Sequence, residues 1–166
     1  EALAKMEGRD LTDKQSVADQ VAVAAIKYGI LRQGSGKNIV FDPAASLSFE
    51  GDSGPYLQYA YVRALSVLGK ARSTKHEIRN IPETIPTFER LLPRFPDVVF
   101  RAAKEYEPHF VTTYLTELAG AFNSWYAAER IIGTDDEGYK LMLVKAFAQT
   151  MKNGLWLLGI SAPEKM

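Results

Sequence analysis

Phe49-Glu-Gly-Asp-Ser-Gly-Pro-Tyr-Leu-Gln-Tyr-Ala-Tyr-Val-Arg63 is the stretch from which the rest of the chain is read. It has the make-up of a loop turning into a helix. Gly51 and Gly54 permit tight backbone conformations, Ser53 is a capping residue, and Pro55 suits a first helical turn, where its missing N–H costs nothing. In the helix so opened, Tyr56, Tyr59 and Arg63 fall at i, i+3 and i+7 and line one stripe. Leu57, Tyr61, Ala64 and Leu68 line another, apolar one, so the helix is expected to serve both core and surface. Phenol rings beside a guanidinium are groups with which proteins stack on and pair with an RNA strand. Half-buried tyrosines with wet hydroxyls fit the same spacing, and the spacing by itself favours that plainer reading.

The 166 residues make one ordinary domain, or one domain with an appendage. An apolar share of 46% is ample for a core and excludes disorder. No apolar run approaches the roughly 18 residues a membrane span needs, and Glu1-Ala-Leu-Ala-Lys-Met6 has no signal-peptide pattern. There is no cysteine, which excludes disulfides and thiolate metal sites, and His76 and His109 are too few for a histidine-based metal cluster. Twenty basic residues balance twenty acidic ones. That balance argues against a general nucleic-acid or DNA binder, but not against a protein that grips one loop of a structured RNA by shape and stacking. The chain starts on Glu rather than Met, so a piece of a longer polypeptide is expected.

Taken in order, the rest of the chain reads as helices. Thr12 and Gln15 have capping-box spacing, and Val17, Val21, Ala24, Tyr28 and Leu31 form the apolar face of a helix that stops before Gly34-Ser-Gly36. Asn38–Asp42 reads as an extended segment or lone strand closed by Asp-Pro. The helix that opens at Pro55 is expected to reach about Arg72, and Ser73–Pro86 is the polar loop and internal boundary. A short helix over Thr87–Leu92 is ended by Pro93 and restarted at Pro96, with Phe88, Leu91, Leu92 and Phe95 assigned to the core. Pro108 opens what the pattern makes the longest helix, carrying Val111, Leu115, Leu118, Phe122 and Trp125. Asp135 or Asp136 caps a last helix with Leu141, Val144, Ala148, Met151 and Leu155 inside. About six helices with short connections predict an all-α bundle.

No catalytic constellation emerges. The chain lacks a G-x-x-x-x-G-K-S/T phosphate loop, an H-E-x-x-H pair and a nucleophile elbow. Gly34-Ser-Gly-Lys37 lacks the strand and helix of a phosphate cradle and reads as a flexible helix-end loop. His109 reads as a capping or core residue, and Asp135, Asp136 and Glu137 as the acidic start of a helix rather than a metal site. A helical domain without a cofactor is the expectation.

Glu50-Gly-Asp-Ser-Gly-Pro-Tyr-Leu-Gln-Tyr-Ala60 closely resembles the E-G-x-T/S-G-P-Y-L-Q-Y-A segment of arginyl-tRNA synthetases. The resemblance continues over nearly the whole chain and in order. Val23-Ala-Ala-Ile-Lys-Tyr28 looks like that family's V-G-A-I-K-Y helix, and Phe41-Asp42 and Leu47–Glu50 follow in place. Phe95–Val99, Glu107-Pro-His109, Tyr114-Leu115 with Glu117–Ala119, and Phe122-Asn123 with Tyr126 match later helices. Asn153–Leu155, Leu157–Ile160, Pro163-Glu164 and Met166 match the closing helix and carboxyl end, so Met166 is expected to be the true end of the polypeptide. The pair of Gly54-Pro-Tyr-Leu-Gln-Tyr-Ala60 and Gly159-Ile-x-x-Pro-Glu-x-Met166 argues against the anticodon domain of another class I synthetase, such as the cysteinyl enzyme.

The resemblance implies a specific job. Synthetases of this family join arginine to its tRNA with ATP, in a catalytic domain bearing H-I-G-H-like and K-M-S-K-S-like signatures that are absent here; Lys5-Met6 is a coincidence. What remains would be the cytoplasmic enzyme's helical part, of the type called DALR, which grips the anticodon stem-loop of arginine tRNA. Residues 1–50 would follow the catalytic domain and 51–166 would be the reader. By resemblance Tyr59, Tyr126 and Met166 hold anticodon-loop bases; Tyr56 and Arg63 join them from the stripe. ATP would belong to the catalytic domain, and none to this part. Two departures stand out: Tyr61-Val62 replaces the commoner His-Ala or His-Ser, and Lys140 stands where Arg is usual, which removes any bidentate contact there. The alternative of a different class is a cofactor-free helical module that binds or scaffolds other proteins.

Overall fold

The computed structural model describes residues 14–71, 81 and 84–166. Among the described residues seven α-helices follow one another: α1 (Lys14–Leu31), α2 (Pro43–Ser46), α3 (Gly54–Lys70), α4 (Thr87–Leu91), α5 (Phe95–Glu105), α6 (His109–Ala128) and α7 (Glu137–Leu157). A 3-10 turn over Leu92–Arg94 joins α4 to α5. No strand occurs among the described residues, so the all-α expectation holds. Thr12 of the expected capping box, Arg72 and most of the polar loop 73–86 lie outside the described residues.

Local chemistry explains where the helices begin. The Asp42 carboxylate accepts from the N–H groups of Ala44 and Ala45 at 2.9 and 3.2 Å and so starts α2. Asn38–Asp42 therefore ends as a cap and forms no strand. Ser53 starts α3 by accepting the Tyr56 N–H at 3.0 Å, while its own hydroxyl donates to the Ser48 carbonyl. Gly51 turns the chain into that cap with a φ of 76°, a left-handed conformation open to glycine. At the start of α7, Asp136 occupies the cap position but makes no capping bond. The Glu137 carboxylate instead accepts the Gly133 N–H at 2.6 Å.

Helices α1, α6 and α7 pack around α3. The buried face of α1 carries Ala18, Val21, Ala24, Ala25 and Tyr28, with Val17 and Leu31 half-buried. Its small residues let α3 approach closely, and a Cβ built on Gly54 would overlap the Ala24 carbonyl. The Tyr28 hydroxyl meets Thr116 at 2.7 Å, which ties α1 to α6. Gln58, fully buried, donates to the carbonyls of Ser161 at 2.8 Å and Gln20 at 3.4 Å. That amide fastens the closing segment of the chain to α1 and α3.

The second half of the core is aromatic. Phe122 of α6 and Phe147 of α7 stack at 3.8 Å with an interplanar angle of 11°. Phe88 of α4 meets both edge-on, at 5.6 and 6.2 Å. All three are fully buried, and such pairs each add about 0.5–1.5 kcal/mol beyond the area they bury. Leu141, Val144, Ala148, Met151 and Leu155 are buried along α7 as the pattern predicts. That helix, at 21 residues, exceeds the 20-residue α6 that the sequence made the longest.

Gly54→Ala is predicted to be strongly destabilising. The obstructing atoms are backbone, so α1 and α3 must separate, at a cost of about 3 kcal/mol or more. Urea denaturation of the two proteins measures the difference; a loss within 0.5 kcal/mol, estimated as ordinary surface variation, would show that the contact relaxes freely.

Candidate nucleic-acid interface

The stripe singled out on α3 faces a matching stripe on α6. Residues 56, 59 and 63 of α3 lie across from residues 123 and 126 of α6, and all five are half-buried. The Arg63 guanidinium carbon lies 4.8 Å from the Tyr59 ring centroid and 5.1 Å from that of Tyr126, over both faces. An Arg63 terminal nitrogen donates to Asn123 Oδ1 at 2.7 Å. The amide of Asn123 in turn donates to the Tyr56 hydroxyl at 3.1 Å. A guanidinium bracketed by two phenol rings gains cation–π attraction to each. Behind the cluster, Tyr59 leans on Phe49 at 6.1 Å and Tyr126 on Phe122 at 6.2 Å. Tyr126 is therefore backed by the core and Tyr59 by a half-buried ring just ahead of α3, and both are partly open.

Four of the five expected residues are thus brought together: Tyr56, Tyr59, Arg63 and Tyr126. Met166 packs elsewhere, with Val17 against the small cluster of Val21, Ala25 and Leu47. The sequence reading missed Asn123, the residue that links the two helices. Its signal was present: it stands three positions before Tyr126 and so on the same stripe of α6.

The other residues singled out are structural. Lys140 is 8% exposed. Its ammonium reaches Glu129 at 3.1 Å, Asp136 at 3.2 Å and the Arg130 carbonyl at 2.9 Å. Three partners around three donors suit an ammonium rather than a planar fork, so this departure closes the α6–α7 connection in its own way. Burial pushes the Asp136 carboxyl up, but hydrogen bonds from Thr134 and Lys140 outweigh it and hold the group below its ordinary value. Tyr61 is buried, and burial, followed by the nearby Glu164 charge, raises its phenol; this departure alters packing. Tyr139 donates to Glu89, and burial first, then that carboxylate, pushes its phenol up to about 12.

The Gly34–Lys37 loop, expected to be flexible, is fastened. The Ser35 N–H donates to both Glu107 carboxylate oxygens, at 3.3 and 3.0 Å, and His109 Nδ1 meets the same carboxylate at 2.9 Å. The Ser35 N–H and then His109 hold the Glu107 carboxyl below its usual range. Among the described residues no group of three or more His, Asp or Glu stands ready for a metal, and no helix is long and apolar enough to cross a membrane.

The geometry is that of a helical bundle with a cation–aromatic cluster at the boundary of α3 and α6. The chain belongs to the DALR anticodon binding domain family, whose pattern matches residues 57–166. It is 36% identical to the arginine–tRNA ligase of Pyrococcus abyssi over 98% of its own length and 27% of that protein. It is 40% identical to the arginine–tRNA ligase of Ligilactobacillus salivarius over 95% of its length and 29% of that protein. The arginyl-tRNA synthetase structure from Thermus thermophilus superposes with a TM-score of 0.89 at 35% identity, covering 99% of this chain and 30% of that one. The chain spans under a third of the length of these relatives.

Lys140→Met is predicted to cost about 1–3 kcal/mol at neutral pH, because it strips two carboxylates of their common donor. Asp136 has a lowered folded-state pKa, so its contribution is complete above its ordinary value of 3.8 and fades as pH falls through the folded value. The gap between the two proteins in urea denaturation should therefore shrink below about pH 4; a gap that stays constant down to pH 2 would assign the loss to packing alone.

Proposed function

We propose that this chain is the anticodon-reading part of an arginine–tRNA ligase. The ligase would attach arginine to its tRNA in the cytoplasm, with ATP bound in a catalytic part elsewhere in the polypeptide. The observation that carries the reading is the clamp of Arg63 between Tyr59 and Tyr126, on a chain 36–40% identical to proteins of that name. In this reading residues 51–166 grip the anticodon stem-loop, and residues 1–50 connect them to the catalytic part. Val23, Ile26 and Ile30 of α1, together with Val40 and Phe41, are exposed, as suits a face that further polypeptide covers.

The roles follow from the chemistry of each group. Tyr59 and Tyr126 offer ring faces to unstacked loop bases, worth roughly 1–3 kcal/mol per base. Arg63 supplies fixed positive charge beside them, and Tyr56 a hydroxyl at the edge of the same cluster. Met166 contributes a polarisable side chain from the α1 side. A net charge of zero fits recognition by shape and stacking more than by phosphate attraction. With no catalytic signature of its own, the chain alone is expected to make no aminoacyl-tRNA.

Tyr126→Ala is predicted to weaken binding of an arginine-tRNA anticodon stem-loop about tenfold or more, as loss of one stacked base implies, while thermal unfolding stays cooperative. Binding is measured by titration against that stem-loop and against one with the central anticodon base changed. Equal affinity for both stem-loops, or none for either at low salt, would remove the RNA-reading function.

A further inference from the structure

The clamp contains one residue that need not touch RNA to matter. We propose that Asn123 is a positioning residue for the recognition face: its amide holds Arg63 between the two tyrosine rings, so that the guanidinium acts as a fixed spacer and cation. This rests on the RNA-binding reading and adds to it a mechanism for how the face is held ready.

Asn123 uses both ends of its amide across the α3–α6 boundary. Its oxygen accepts from Arg63 at 2.7 Å, and its nitrogen donates to the Tyr56 hydroxyl at 3.1 Å. Those two bonds fix which way the amide faces, because Arg63 has only donors to give. Among the described residues the guanidinium has no other hydrogen-bond partner. Arginine carries five N–H donors in a planar fork, so the amide engages one edge of it and leaves donors for a ligand. Without Asn123, Arg63 would keep only its attraction to the two rings, and a long side chain so held populates several rotamers.

The bracketing has a stereochemical consequence. With the Arg63 carbon over both rings, 4.8 and 5.1 Å from their centroids, the ring faces that meet the guanidinium are already covered. A base therefore stacks on the outer surface of a ring, and an acceptor, either a phosphate oxygen or a base edge, meets the remaining guanidinium donors. Fixing the cation in advance lowers the ordering cost at the moment of binding. The class of ligand is a single-stranded nucleotide pair: one planar base, and one anionic or carbonyl acceptor beside it.

A double-mutant cycle with Asn123→Ala and Arg63→Gln, read against the anticodon stem-loop, tests this. In the native background Asn123→Ala should weaken binding about tenfold, the scale of one lost orienting hydrogen bond to a charged group. In the Arg63→Gln background the same change should cost less than about twofold, since the group it positions is gone. Raising salt should weaken native binding more steeply than binding by Arg63→Gln, because the fixed cation is then absent. An equal loss from Asn123→Ala in both backgrounds, with or without a drop in melting temperature, overturns the positioning role. Native protein that fails to bind the stem-loop at all instead overturns the RNA reading on which the proposal rests. Should Asn123→Ala unfold the chain, Asn123→Ser, which keeps an acceptor at shorter reach, is read in the same cycle under the same two outcomes.

Discussion

The close approach of α3 to α1 at Gly54 and Ala24 is the constraint from which the rest of the arrangement follows. A side chain at position 54 would strike backbone, so the first turn of α3 sits at a depth only glycine allows. That depth buries Ser53, Pro55, Leu57 and Gln58 and leaves Tyr56, Tyr59 and Arg63 at the boundary with α6. It also brings the Gln58 amide within reach of Gln20 and Ser161, which seats the closing segment that carries Met166. One short glycine-rich turn thereby sets both a packing distance and the rotation of the helix that carries Tyr56, Tyr59 and Arg63.

The aromatic core performs the complementary task from the other side. Phe122 stacks on Phe147 and is met edge-on by Phe88, which leaves α6 little freedom to slide or turn. Tyr126, one turn further along α6, rests on Phe122 at 28° to it. Tyr126 is thus backed by rings that are fully buried.

Electrostatics within the chain are spent on internal connections as much as on a partner. Lys140 gathers Glu129, Asp136 and the Arg130 carbonyl where α6 turns into α7. Glu107 gathers Ser35 and His109 where α5 turns into α6. Both are partly buried charges met by several donors or acceptors, the condition under which such groups are tolerated. The Arg63 cation is held differently, by ring faces and a neutral amide, with no carboxylate ion pair among the described residues.

Much of this was legible in the residues themselves. Periodicity placed the longer helices and much of the buried faces of α3 and α7, because burial along a helix repeats every 3.6 residues, but not the one-turn α2 or the half-burial of Leu68. Proline marked the break between α4 and α5, since it cannot donate within a helix. The words around Gly51–Ala60, and their companions in order, carried the family. Other features depended on contacts between residues far apart in sequence, which periodicity does not encode. The meeting of Arg63 with Tyr126 and Asn123 spans some sixty positions. The capture of Ser35 by Glu107 turned a loop read as flexible into a fastened one, and the placement of Met166 beside Val21 and Leu47 set it on a different cluster from the tyrosines. The sequence by itself determined an all-helical chain, its family and which helix faces were worth watching; the tertiary structure alone decided which of those faces meet, because that is settled by how closely two backbones approach where Gly54 stands over Ala24.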